Sequence, residues 1–258
     1  MPGGLDWGAP WFAPWRVAGE RVAQRIAHGA PLDEALNAEG DASVGFVPAA
    51  ARPAVMPYER YIFESGLCPV REGLHDFFNG LAWLAWPRAK AALNALQASE
   101  IARDGVGARR GPVRDGVTVF DENGALLHAP PPLWDALLAH DWRRLFVDLR
   151  PLWRDARLTL FGHALLEQLA TPRKDITAHV WRADAPAGAA AELDGWLAAQ
   201  ITGERLAAKP FTPLPVLGVP GWWAANAEVS FYDDPLVFRP RRPARTHNDM
   251  PHARPASP

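Results

Sequence analysis

From Leu74 to Trp86 the chain reads LHDFFNGLAWLAW, and the next residue is a proline. This spacing predicts a helix that is apolar on most of its faces, which in water must be covered by other elements. Whatever the chain folds into is therefore built around this segment. Pro87 cannot donate to a helical ladder, so it either opens a second helix or kinks a single long one. The following PRAKAALNALQASEIARD puts Ala89, Ala92, Leu93 and Leu96 on one face, and Lys90, Asn94 and Gln97 on another.

Three polar groups interrupt the apolar run. His75 and Asn79 are one helical turn apart on one face, while Asp76 sits about 100° round. Left unpaired in a core they would cost several kcal/mol, so each must find a partner. One reading makes His75, Asp76 and Asn79 catalytic, with His75 as general base, or begins a metal site there. The other is a helix-start network, with Asp76 facing the positive end of the macrodipole and His75 capping. The stripe Lys90, Asn94, Gln97 is open in the same way. It is the solvated side of a helix, or it faces a cleft and binds an anion or polar ligand.

The rest of the chain supports an α+β expectation: a mainly helical N-terminal half, then a small, mainly antiparallel sheet with helices. Residues 1–16 carry Trp7, Trp11 and Trp15 among prolines and glycines and are expected to lie extended as an arm. Residues 17–28, 31–38 and 58–65 have helical spacing, and 40–57 reads as loop. VTVF and ALLH flank Asp121-Glu122-Asn123-Gly124, so residues 116–128 predict a hairpin turned at Asn-Gly. Residues 157–161 and 176–181 predict strands; 130–138, 142–153 and 189–206 predict helices. Residues 240–258, rich in Pro and Arg and almost free of apolar side chains, are expected to form a disordered tail, which makes 17–239 a single domain.

Composition removes several function classes. With 27 basic and 29 acidic residues, a broad basic face for nucleic acid is not expected. The one cysteine, Cys68, excludes an internal disulfide and any multi-cysteine zinc site. No apolar run nears the ~20 residues that span a bilayer, and the N-terminus does not read as a signal peptide, so the expected location is cytoplasmic. Twelve tryptophans suit cores, interfaces and pocket walls. Trp222-Trp223 reads as a pocket lid or a plug of the core.

HDFFNGLAWLAWPRAKAALN (75–94), FDENG (120–124), FGHALLE (161–167), TAH (177–179), LGVPGW (217–222) and FYDD with VFRP (231–240) together resemble the signature of an uncharacterised bacterial family, domain of unknown function 3025. The likeness spans residues 45–240 and implies no reaction. TVFDENGALL also resembles the first motif of haloacid-dehalogenase-type phosphohydrolases. Asn123 stands there in place of the second aspartate and Ala125 in place of Thr or Val, so the general acid is missing. No G-x-S-x-G, Walker or G-x-G-x-x-G motif occurs, and Cys68 has no motif partner.

Two functional readings follow. The first is an enzyme or small-ligand-binding protein with a polar His/Asp/Asn/Lys cleft. Its metal ligands would be His163, which follows a strand–glycine junction, Glu167 one turn later, and His179, with His75 within reach of the same divalent ion. Imidazole and carboxylate ligands suit zinc, iron or nickel. The second is a non-catalytic module engaging a protein partner through the Trp-rich arm and the tail. A common pocket for His75, Lys90, His163 and His179 separates the two readings.

Overall fold

A computed structural model describes residues 2–40, 42–106, 111–184 and 190–241. The apolar run forms α4 (Leu74–Ala85) and the next segment α5 (Pro87–Asp104). They are two helices rather than one with a kink. Trp86 between them sits at φ −130°, ψ 52°, outside helical geometry, and Pro87 takes the first helical position, where no N–H is missed. Phe77, Phe78, Leu81 and Trp83 of α4 are all buried, as a helix apolar all round requires.

Before α4 come α1 (Arg16–Ala27), α2 (Leu32–Asn37) and α3 (Tyr58–Ser65), the last closed by Gly66 at φ 68°. The stretch expected as loop contains β1 (Gly45–Pro48), which pairs in parallel with β2 (Leu67–Val70). After α5 come α6 (Pro112–Asn123), β3 (Gly124–His128), α7 (Pro131–Ala139), β4 (Arg157–Leu160), α8 (His163–Leu169) and β5 (Thr177–Arg182). The described chain continues through α9 (Ala190–Gln200), α10 (Gly203–Ala208) and β6 (Phe211–Pro215). The fold is α+β. Its larger sheet has the order β4-β3-β5-β6 and is mixed rather than mainly antiparallel, because β3 and β5 run parallel.

Four local expectations change. The hairpin at 116–128 is a helix running straight into a strand. Pro112 starts α6, Val117 and Phe120 bury one helical face, and Gly124 is extended (φ −72°, ψ 150°) rather than left-handed. The Asn-Gly signal lost to the packing of Phe120 against Phe161 and Phe211, at 4.8 and 5.4 Å between rings. The helix expected over 189–206 breaks into two, with the Thr202 hydroxyl accepting from the Arg205 N–H at the start of α10. Residues 142–153 form a short π turn (Arg144–Asp148) and a 3-10 turn (Arg150–Asp155).

The N-terminal segment is not extended either. It coils through 3-10 turns at Pro2–Gly4 and Pro10–Phe12 and buries Trp11, Phe12 and Trp15 in the core. Phe12 stacks on Phe78 of α4, 5.6 Å between rings and 7° between planes, and Trp7 lies against Phe77. The tail expected over 240–258 falls, from residue 242 on, outside the described residues.

Candidate functional site

Helices α3, α4, α5, α6 and α8 converge on a cavity of about 380 Å³, lined mainly by polar side chains. The Lys90 stripe faces it rather than bulk solvent: Lys90, Asn94 and Gln97 are all buried and all line it. The Lys90 ammonium donates to Asn79 Oδ1 at 2.9 Å and to Asp121 Oδ1 at 2.6 Å, and stands 5.4 Å from the Trp83 ring centre. Asn79 passes the chain on, its amide N–H donating to the Tyr58 hydroxyl at 3.3 Å. Asn94 donates to the backbone and carboxylate oxygens of Glu59 at 2.9 and 3.0 Å. Gln97 is engaged with Thr118 and Arg114.

The α4 start divides its polar residues between two jobs. Asp76 accepts the Arg71 backbone N–H at 2.6 Å and two guanidinium N–H groups at 3.0 and 3.1 Å, tying the β2–α4 connection down. His75 caps nothing, since Gly73 occupies the N-cap. Its ring reaches across to α8 instead. There His75 Nδ1 lies 2.8 Å from Glu167 Oε2, and His75 Nε2 lies 3.2 Å from His163 Nε2. Glu122, on the last turn of α6, brings Oε2 to 3.5 Å from His163 Nε2. His75, Glu122 and His163 thus place one ligand-type atom each within 4.8 Å of one another.

A glycine contact holds these elements in register. The N–H groups of Phe161 and Gly162 both donate to the Gly124 carbonyl, at 2.9 and 2.8 Å. That clasp fixes the start of α8 against the end of α6, and it sets His163 beside Asp121 and Glu122. A Cβ on Gly162 would lie 2.4 Å from the Glu122 carbonyl oxygen, so only glycine permits the approach.

Burial governs the electrostatics. It pushes the His163 imidazole down to about 4, leaving it neutral at pH 7. Burial alone would raise the Asp121 carboxyl, but the Lys90 ammonium and the neighbouring imidazoles more than offset it, so it falls below its ordinary value. Glu59 is raised by burial and by the Asp121 charge. Burial also lifts Cys68 to about 12, which removes it as a nucleophile at neutral pH.

Not every expected ligand belongs to the cluster. His179 lies on β5 with its Cα opposite Gly124 and Pro213, outside the cavity lining, where burial and the charge of Lys209 lower its basicity. Glu167 stands behind His75 rather than beside the gathered atoms. The residues missed in the sequence are Glu122 and Asp121. Their signal was masked by the hairpin reading: only once α6 is a helix do two carboxylates in its last turn face its negative end and call for a cation nearby.

Asn79→Leu tests the buried network. It removes one acceptor of the buried Lys90 ammonium and one of the three partners of the Tyr58 hydroxyl, and the expected loss is about 1–3 kcal/mol in a denaturant titration. An unchanged midpoint would show that water replaces Asn79 without cost.

Among the described residues no helix is long and apolar enough to cross a membrane. No curated protein and no solved structure matches the chain. A family model described as protein of unknown function (DUF3025) matches residues 44–242, and the chain belongs to that family.

Proposed function

We propose that His75, His163 and Glu122 hold one divalent transition-metal ion, and that the cavity beside it takes a small polar molecule for metal-assisted hydrolysis. The observation that carries this reading is the proton count at the two imidazoles. His75 Nδ1 faces Glu167 at 2.8 Å, and His163 Nδ1 faces Asp121 Oδ2 at 3.7 Å. Protons on both Nδ1 atoms would give Glu167 its hydrogen bond, turn the His163 N–H towards Asp121, and leave two Nε2 lone pairs and a Glu122 oxygen facing one another. A divalent cation would complete that arrangement.

One alternative proton placement gives His163 an Nε2–H directed at His75; another charges His75, which then donates to both Glu167 and His163 without a metal, and elemental analysis separates it from the metal site. The first leaves His163 Nδ1, buried and without a hydrogen-bond partner, presenting a lone pair towards a carboxylate. A metal ion removes that conflict. Its ligands, at bonds of about 2.0–2.1 Å, would stand about 3.3–3.4 Å apart in a tetrahedron, close to the observed 3.2 and 3.5 Å. Glu167 behind His75 is the support that ligating histidines ordinarily have, and Asp121 stands 3.7 Å from the Nδ1 of His163.

Three protein ligands leave a coordination position open, as in sites that activate water or polarise a carbonyl. His75 and Glu122 are only half-buried, so the ion has a way in. Lys90, Asn79 and Asn94 would orient the ligand deeper in the cavity. The interaction-module reading draws less support, because Trp11 and Trp15 of the arm are committed to the core.

Elemental analysis of untagged protein should find one equivalent of zinc, iron, cobalt, nickel or manganese. The protein stripped and reloaded with zinc should gain about 2.7 kcal/mol at 100-fold excess over Kd. His163→Ala should abolish both effects, and wild-type protein with no stoichiometric ion and no stabilisation by any of these metals ends the proposal. Glu167→Gln keeps all three ligands but loosens the His75 ring, and should weaken zinc binding by about 10–100-fold in a chelator competition. Unchanged affinity would show that Glu167 does not support the site.

A further inference from the structure

A second cavity, of about 290 Å³, lies where the N-terminal turns meet β4 and the segment after β6. Trp11, Trp153 and Trp222 wall it with Pro10 and Pro220, and Arg157 lines it too. Its size is near the lower end for small-molecule sites.

The chemistry of the lining is one-sided. Every lining side chain is Trp, Pro, Ala, Leu, Val or Arg, so the side chains offer hydrogen-bond donors and no acceptor. Two of those donors are uncommitted. The Trp11 indole N–H is buried without a partner, in a residue only 6% exposed. Arg157 is exposed on β4, at the edge of the sheet, and makes no ion pair or side-chain hydrogen bond among the described residues. Trp153, by contrast, has already given its N–H to the Leu145 carbonyl at 2.9 Å.

We infer that this cavity binds a small aromatic carboxylate, its ring against the tryptophan and proline walls and its carboxylate on Arg157 and the Trp11 N–H. A neutral apolar guest would leave the buried Trp11 N–H unmatched, and a cation would meet Arg157. An aromatic body suits walls of tryptophan and proline, because offset and edge-on ring contacts add to simple burial. The assignment is independent of the metal site, whose residues it does not share.

Cinnamate and its neutral amide, cinnamamide, are the probes. They are titrated into metal-stripped full-length protein, so that carboxylate binding to an ion at His75 and His163 does not enter. The readouts are calorimetry and the indole N–H cross-peak that disappears in Trp11→Phe. Cinnamate should bind saturably and shift that cross-peak, with cinnamamide at least about tenfold weaker. Arg157→Gln, at an exposed position on β4, should bring cinnamate down to the level of the amide. Trp11→Phe keeps a ring in the wall and should weaken cinnamate several-fold. Absence of saturable binding, equal binding of acid and amide, or full affinity in Arg157→Gln each overturns the assignment.

Discussion

Gly162→Ala is expected to destabilise the protein by about 3 kcal/mol, the upper range for forcing a group into a filled interior. The cause is space alone. Gly162 has φ −65° and ψ 124°, which any residue adopts. The added methyl, however, meets the Glu122 carbonyl oxygen at 2.4 Å and the Asn123 nitrogen at 2.6 Å, both backbone atoms at the α6–β3 junction. Neither side yields easily while Phe161 and Gly162 donate to the Gly124 carbonyl. Because Gly162 precedes His163 and presses on Glu122, zinc affinity should fall with stability. Urea titration and chelator competition on one preparation measure both. A variant within 0.5 kcal/mol of the wild type would mean that α8 slides freely against α6.

Phe12→Ala should cost about 3–5 kcal/mol, the usual range for truncating a fully buried phenylalanine. Phe12 is 1% exposed, and its ring stacks on Phe78, three residues after the cavity-lining His75 on α4. The removed ring leaves a void beneath α4 that Trp7 and Trp11, each held by contacts of its own, cannot fill. Val17→Ala nearby, at a side chain 66% exposed, should change stability by less than 0.5 kcal/mol. A loss below 1 kcal/mol for Phe12→Ala would show that the N-terminal turns are a detachable cover.

Much of the frame around the site is legible in the sequence. The apolar run 74–86 and the proline after it specify α4 and α5, because pattern and breaker agree. The strand–Gly–His order at 157–163 locates the start of α8. What fails is the segment 116–128, where a local turn signal and four strand-like residues outweigh, on paper, a helical face that only Phe161, Phe211 and Leu206 reveal. That misreading hides Glu122, since a carboxylate in a hairpin turn points at water. His179 illustrates the converse. Its alternation with Ala178 and Val180 is that of a strand, and nothing local tells that it stays out of the cluster at His163 and the cavity lining. The pairing of His75 with His163 joins positions 88 residues apart, a relation that spacing does not encode.

The contact between Trp11 and Trp222, 6.4 Å between ring centres, has a consequence for synthesis. At 5–20 residues per second, roughly 10–40 s separate the emergence of the two residues from the ribosome. Throughout that interval Trp11, Phe12 and Trp15 lack part of their final surroundings and remain available to chaperones and to other nascent chains. A fusion partner placed ahead of them would fold first and hold the segment at a distance, so the yield of soluble protein should depend on the length of the linker that follows the partner.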